Sequence, residues 1–67
     1  MKTRKQLDAL TDLWRGVDPK RIDATRTEMR YVVARAHWLT NVERGSPAAE
    51  DDELAMERCW RHIREAQ

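Results

Sequence analysis

The chain has 67 residues, 40% of them hydrophobic, with 13 basic and 12 acidic residues and a formal net charge of +1. Chains below about 70 to 80 residues seldom bury enough apolar area to be stable alone, so one domain with a thin core is expected. The near-neutral charge excludes a global attraction to nucleic acid, and the single cysteine excludes an internal disulfide. No apolar stretch approaches the roughly 20 residues of a membrane span. We therefore expect one cytoplasmic domain over residues 1–67.

The first predicted helix covers residues 4–15. Thr3 and Gln6 fit a capping box, in which each side chain bonds a backbone N–H left free at a helix start. Gly16 suits a left-handed helix end. Apolar residues at helical spacing form one stripe on this segment: Leu7, Leu10, Leu13, Trp14 and Val17.

The second predicted helix is long and covers residues 19–44. Asp18 is a good N-cap, Pro19 suits the first helical position, and no helix breaker follows until Gly45. Thr25 and Glu28 form a second capping-box pattern, so an alternative is that residues 19–24 make a separate turn.

The third predicted helix covers residues 47–65. Ser46 and Pro47 repeat the start signal directly after Gly45, and acidic residues 50–53 lie where the positive end of the helix dipole favours them. Because both connections between the predicted helices are short, each helix should run back along its predecessor. The predicted fold is an all-α, up-down-up three-helix arrangement dominated by a long helical hairpin, and two such hairpins could form a larger bundle.

Helix two carries apolar residues on two opposite sides. One stripe is expected to face helices one and three as ordinary core: Ile22, Thr25, Met29, Val32, Ala36 and Leu39. The other side has aromatic residues at intervals of seven, and Leu54 of helix three falls level with it. We interpret this second side as a partner-binding or homodimer interface, because aromatic and Arg side chains anchor interfaces: Tyr31, Arg35, Trp38, Val42 and Leu54. The alternative is that helix one wraps differently and covers this side.

We find no pattern that predicts catalysis, a cofactor, a metal site or a small-molecule substrate. Cys59 and His62 share one side of helix three, but a structural zinc site needs four ligands and the chain has no second Cys and only two His. The sequence therefore predicts a non-enzymatic protein-interaction module that acts as a regulator, inhibitor or assembly factor. Its compact, Arg-rich character would suit a bacterial or phage-encoded protein.

The alternative is a small helical nucleic-acid-binding protein. Its contacts would come from a basic N-terminus and a basic start of helix two: Lys2, Arg4, Lys5, Lys20, Arg21, Arg26 and Arg30. Against it, a helix-turn-helix needs a short recognition helix after a tight turn, and helix three would present four carboxylates at the end that usually meets the groove.

Overall fold

The computed structural model describes residues 2–16 and 22–66, which form three α-helices. They are α1 (Arg4–Gly16), α2 (Arg26–Glu43) and α3 (Ala49–Glu65). No β-strand occurs within these two ranges. The prediction of an all-α, three-helix protein is confirmed.

The start of α1 is fixed by the predicted capping box. The Thr3 N–H donates to Gln6 Oε1 at 2.8 Å, and the Gln6 N–H donates to Thr3 Oγ1 at 3.2 Å. Of the predicted apolar stripe, Leu7 is buried, whereas Leu13 and Trp14 are 46% and 38% exposed. Val17 lies outside the described residues. The α1 helix therefore buries only part of its apolar side.

The α2 helix begins at Arg26, so the predicted start at residue 19 is wrong within the described residues, where 22–25 are not helical. The remainder of that prediction, residues 19–21, lies outside the described part of the chain. The alternative capping box marks the start: the Glu28 N–H donates to Thr25 Oγ1 at 3.1 Å, and the Thr25 N–H donates to Glu28 Oε1 at 2.9 Å. These reciprocal bonds satisfy two backbone donors that a helix start leaves free.

The turn between α2 and α3 depends on Gly45, whose φ is +66°. Its N–H donates to the Val42 carbonyl at 3.1 Å, and the Ser46 N–H donates to the Asn41 carbonyl at 2.9 Å. This pair of bonds is a Schellman motif, which favours glycine at the left-handed position. The α3 helix starts at Ala49, two residues after the predicted 47, because residues 47 and 48 still belong to the turn. The predicted antiparallel hairpin is nevertheless formed.

The direction of α1 differs from the prediction. Hydrogen bonds join the start of α1 to the start of α2 and the end of α1 to the end of α2. From one end of α1 to the other, the bonded residues are 26 to 28 positions apart in the sequence. A nearly constant separation means that α1 and α2 run parallel, so the up-down-up order is wrong for the first helix. The start of α2 lies beside the start of α1.

The core lies where α1 crosses the α2–α3 hairpin. Its buried side chains come from all three helices: Leu7, Tyr31, Val32, Met56 and Ile63. Of the stripe predicted to be core on helix two, Val32 and Ala36 are buried, whereas Met29 and Leu39 are half-buried and Thr25 serves as the cap. The core is therefore shifted around α2 from the predicted stripe towards Tyr31.

Candidate interaction surface

Tyr31 is fully buried, which corrects its assignment to an exposed interface. Its exposed fraction is 0%, and it is the largest of the fully buried side chains. Arg4 Nε donates to its hydroxyl at 3.2 Å, and the hydroxyl donates to Asp8 Oδ1 at 2.6 Å. Its ring packs at a tilt against Trp60, with 6.0 Å between ring centroids. The Tyr31 side of α2, predicted to bind a partner, is therefore covered by α1.

Arg35 belongs to the same internal contact. Its guanidinium donates to the Asp8 carbonyl at 3.1 Å and lies 3.2 Å from the Asp8 carboxylate, with Asp12 at 3.8 Å. Arg4 forms a bidentate pair with Glu57 of α3 and lies 5.6 Å from the Trp60 ring centroid. The interface chemistry predicted for this side is present, but it joins α1 to the rest of the same chain.

The electrostatics of this contact favour the folded state. Burial raises the pKa of Tyr31 to about 12, and the hydrogen bond to Asp8 acts in the same direction. The Arg4 guanidinium holds the pKa of Glu57 below its ordinary value by hydrogen bonding. At the start of α2, the Thr25 backbone N–H lowers the pKa of the buried Glu28, with Lys2 as a second donor. Neutral pH therefore keeps each of these groups in its bonded form.

The remaining residues of the predicted patch differ in exposure. Trp38 is half-buried against the core, whereas Val42 and Leu54 are 49% and 66% exposed. Helical spacing alone could not show which side of α2 would be covered by α1. One sequence signal bears on this: Asp8 and Asp12 lie one turn apart and so place two carboxylates on the same side of α1, where they can pair with an arginine of another helix.

The basic residues of the nucleic-acid alternative have three different environments. Lys2 is bonded to Glu28 and Arg4 to Glu57, so their charges are already engaged within the chain. Lys5, Arg26 and Arg30 are exposed, and Lys20 and Arg21 lie outside the described residues. The structure thus leaves no continuous basic tip at the described N-terminal end.

An apolar groove runs between α2 and α3, and no α1 residue lines it. It encloses about 480 Å³ and continues into a smaller depression of about 160 Å³. The floor is apolar and comes from both helices: Met29, Val33, Ala34 and Cys59. Thr27 and His62 line the smaller depression. This groove is an apolar concavity that the fold leaves open between α2 and α3.

Three arginines surround the groove, namely Arg26, Arg30 and Arg58. All three are exposed, and none forms an ion pair within residues 2–16 and 22–66. Within helices α2 and α3, no carboxylate lies three or four positions from any of them, which is the spacing that neutralises charge along a helix. The groove is therefore apolar at its floor and positively charged at its rim.

The opposite charge is concentrated at the start of α3. Glu50, Asp51 and Glu53 are exposed, whereas Asp52 is bonded to the Asn41 amide across the turn. Leu54 follows them directly and, at 66%, is the most exposed of the large apolar side chains in the described ranges. This acidic segment with an exposed leucine is separate from the arginine-rimmed groove.

A further cleft lies between α1 and α2 and differs from the groove in chemistry. Its lining is mixed: Trp14, Arg15, Ala36, His37 and Thr40. Arg15 is paired with Glu43 of α2. Because its arginine is already paired, this cleft is a weaker candidate for partner binding than the groove.

Within residues 2–16 and 22–66, no three His, Cys, Asp or Glu side chains are grouped so as to hold a metal ion. None of the three helices is long and apolar enough to cross a membrane. No protein-family model, curated protein or solved structure matches the chain. The surface itself is therefore the basis for a functional proposal.

Proposed function

We propose that this protein is a cytoplasmic, non-enzymatic interaction module that binds a protein partner through the α2–α3 groove. The observation that carries the proposal is an apolar floor of Met29, Val33 and Cys59 surrounded by three arginines without carboxylate partners in the described chain. Through this groove the protein would act as a regulator, inhibitor or assembly factor, by binding a surface of its partner. The proposal moves the binding surface from the Tyr31 side of α2 to its other side.

The groove has the composition of a protein-binding site. Interfaces combine an apolar centre with a polar rim, and Arg is enriched in them because its stem packs while its head forms directional bonds. Nucleic acid fits less well, because phosphate binding needs an extended row of cations, and Lys2 and Arg4 are engaged with carboxylates. The single free Cys59 in the groove is compatible with a reducing compartment.

Site-specific photo-crosslinking in the cells that produce the protein tests this proposal. A photoreactive phenylalanine analogue replaces His62, which lies at the groove and is exposed, so the floor stays free. We expect light-dependent protein adducts from this position. The same analogue at Ala9, an exposed position on α1, is the matched control and should give none.

Dependence on the rim charge completes the test. Arg30→Glu in the chain labelled at position 62 should remove the adducts, because it reverses one of the three rim charges without touching the floor. Equal labelling from both positions, adducts that persist in Arg30→Glu, or no protein adduct at all would contradict the proposed function. Adducts with nucleic acid in place of protein would favour the alternative class.

A further inference from the structure

We propose that the groove is occupied by a second copy of this chain, whose acidic α3 start docks onto the arginine rim and over the apolar floor. This inference rests on the proposed function, because it names the partner of the same surface. The two copies would be related by a two-fold axis, so each groove receives the other copy's acidic segment.

Charge complementarity is the first argument. The rim has three arginines, at positions 26, 30 and 58, and the exposed part of the acidic segment has three carboxylates, at positions 50, 51 and 53. No residue of either group has an opposite charge three or four positions away in its own helix. The carboxylates at the start of α3 interact favourably with the helix dipole, but they have no basic side chain as a partner there. Contact between copies brings opposite charges from the two groups together, with Asp51 of one copy facing Arg58 of the other.

The geometry of α3 provides the second argument. Asp51 and Arg58 are two helical turns apart, about 10.5 Å at 1.5 Å per residue, and therefore lie on the same side of the helix. Leu54 lies one turn before Arg58 on that side. Antiparallel packing of two α3 helices about an axis between these positions brings Asp51 of each copy to Arg58 of the other. In this packing each Leu54 lies beside the axis, next to Leu54 of the other copy, and Glu50 is level with the other copy's Cys59 at the groove.

The apolar residues provide the third argument. Leu54 is exposed in the single chain and lies beside the axis, so the two copies cover each other's Leu54, while the start of the other α3 covers the groove floor of Met29, Val33 and Cys59. Chains of this length commonly gain stability by association, because one copy has too little core. A two-fold arrangement closes on itself and covers both grooves at once.

Sedimentation equilibrium of the purified full chain is the direct test. We expect a concentration-dependent species of twice the 8.0 kDa mass of the chain, with association weakened by added salt because charged contacts are screened. Alkylation of Cys59, the single cysteine, by a thiol reagent should slow as dimer forms. A monomer at all concentrations would overturn the second-copy proposal.

Charge reversal makes the test specific to this arrangement. Arg58→Glu and Asp51→Lys each place like charges in contact twice in the symmetric dimer, and each should weaken association by at least about tenfold. An equimolar mixture of the two variants should associate again, because every contact between unlike copies then joins opposite charges. Lys5→Glu is the control, since it makes the same change in net charge as Arg58→Glu on α1, outside the groove.

The mixture also guards against misfolding. Asp51→Lys opposes the dipole at the start of α3, so circular dichroism must show both variants helical, and an unfolded variant would not recover binding in the mixture. Dimerisation that both reversals and the mixture leave unchanged would overturn the proposed arrangement. If the wild-type chain is monomeric while position 62 crosslinks to a different protein in cells, the second-copy proposal fails and the proposed function stands.

Discussion

The two sides of the α2–α3 hairpin carry similar residue types but differ in whether the chain satisfies them. On the α1 side, Tyr31 and Arg35 have aromatic, hydroxyl and carboxylate contacts, and Tyr31 is fully buried. On the groove side, Val33 and Arg30 border an open concavity, and Arg30 has no carboxylate partner in the described residues. Aromatic or apolar residues beside arginine thus indicate a contact surface. They do not show whether that surface binds another part of the same chain or a different molecule.

This difference has a physical consequence for how the two sides respond to change. A buried side chain with bonded polar atoms contributes to the free energy of unfolding, and its loss leaves a cavity and orphaned groups. A side chain at an open rim contributes little to folding but can contribute to binding. Variants on the α1 side should therefore alter stability, and variants on the groove side should alter association.

The largest effect is expected for Tyr31→Ala. Removing the largest buried side chain should cost about 3 to 5 kcal/mol of unfolding free energy, enough to unfold much of so small a protein. The matched variant on the other side is Val33→Ala, which removes two methyl groups from a half-buried position and should cost about 1 kcal/mol or less. Urea denaturation followed by circular dichroism measures both. Equal losses of unfolding free energy from the two variants would contradict the assignment of the Tyr31 side to the core and of the Val33 side to an open groove.

Alkaline titration should show a second large effect. Burial and the Asp8 bond raise the pKa of Tyr31 from 10.0 to about 12, so the folded state favours the neutral phenol. This stabilisation is fully present below pH 10 and is lost as pH rises towards 12. Because the chain has one tyrosine, its tyrosinate absorbance reports this site alone. We expect ionisation near pH 12, or together with loss of helical signal, and near pH 10 in denaturant.

Ionisation of Tyr31 near pH 10 with the helical signal intact would contradict its burial beneath α1. Arg35→Ala offers an internal control, since Arg35 contacts Asp8 and not the phenol directly. If that variant remains folded, its tyrosine should still titrate well above pH 10.

A smaller effect is expected at the start of α2, where Glu28 is 2% exposed and accepts from the Thr25 and Lys2 N–H groups. Glu28→Gln keeps an acceptor but loses the charge, and it should cost about 1 to 2 kcal/mol at neutral pH. The lowered pKa of Glu28 means that its contribution is present above its ordinary value of 4.5 and is lost as pH falls below it. Acid unfolding measures this.

The acid response of the Glu28→Gln variant should be shallower than that of the wild type, but not absent. Glu57 also has a lowered pKa, through Arg4, and loses its contribution over the same range. Identical acid profiles for the two proteins would show that the Glu28 carboxylate does not help to fix the helix start.

Local features of this fold could be predicted from sequence, because each is set by a few neighbouring residues. The capping box at Thr3 and the glycine turn at Gly45 were identified, and both have the expected bonds. The capping box at Thr25 competes in the sequence with the start signal at residues 18 and 19, which predicts an earlier start for α2. An earlier start implies a short first connection and therefore predicts the wrong direction for α1.

The burial of Tyr31 could not be deduced from periodicity. A helical pattern shows that two sides of α2 are apolar, but which one becomes core depends on the path that α1 takes across the hairpin. That path is set by side chains from separate helices, including the contacts of Arg4 with Tyr31 and Glu57. Such long-range combinations leave no spacing signal in a single sequence. The groove was missed for the same reason, since its side of α2 was assigned to the core.

The smallest effect on folding is expected for Arg30→Ala. Arg30 is exposed at the groove rim, and alanine preserves helix propensity, so the unfolding free energy measured at low protein concentration should change by no more than about 0.5 kcal/mol. Arg35→Ala is the matched comparison on the same helix, and it should cost more because it leaves Asp8 without its guanidinium partner. If the two variants lose equally little unfolding free energy, the contact of Arg35 with Asp8 does not stabilise the packing of α1 on α2. If Arg30→Ala destabilises the isolated chain, the rim is part of the fold, and a role in binding loses its support.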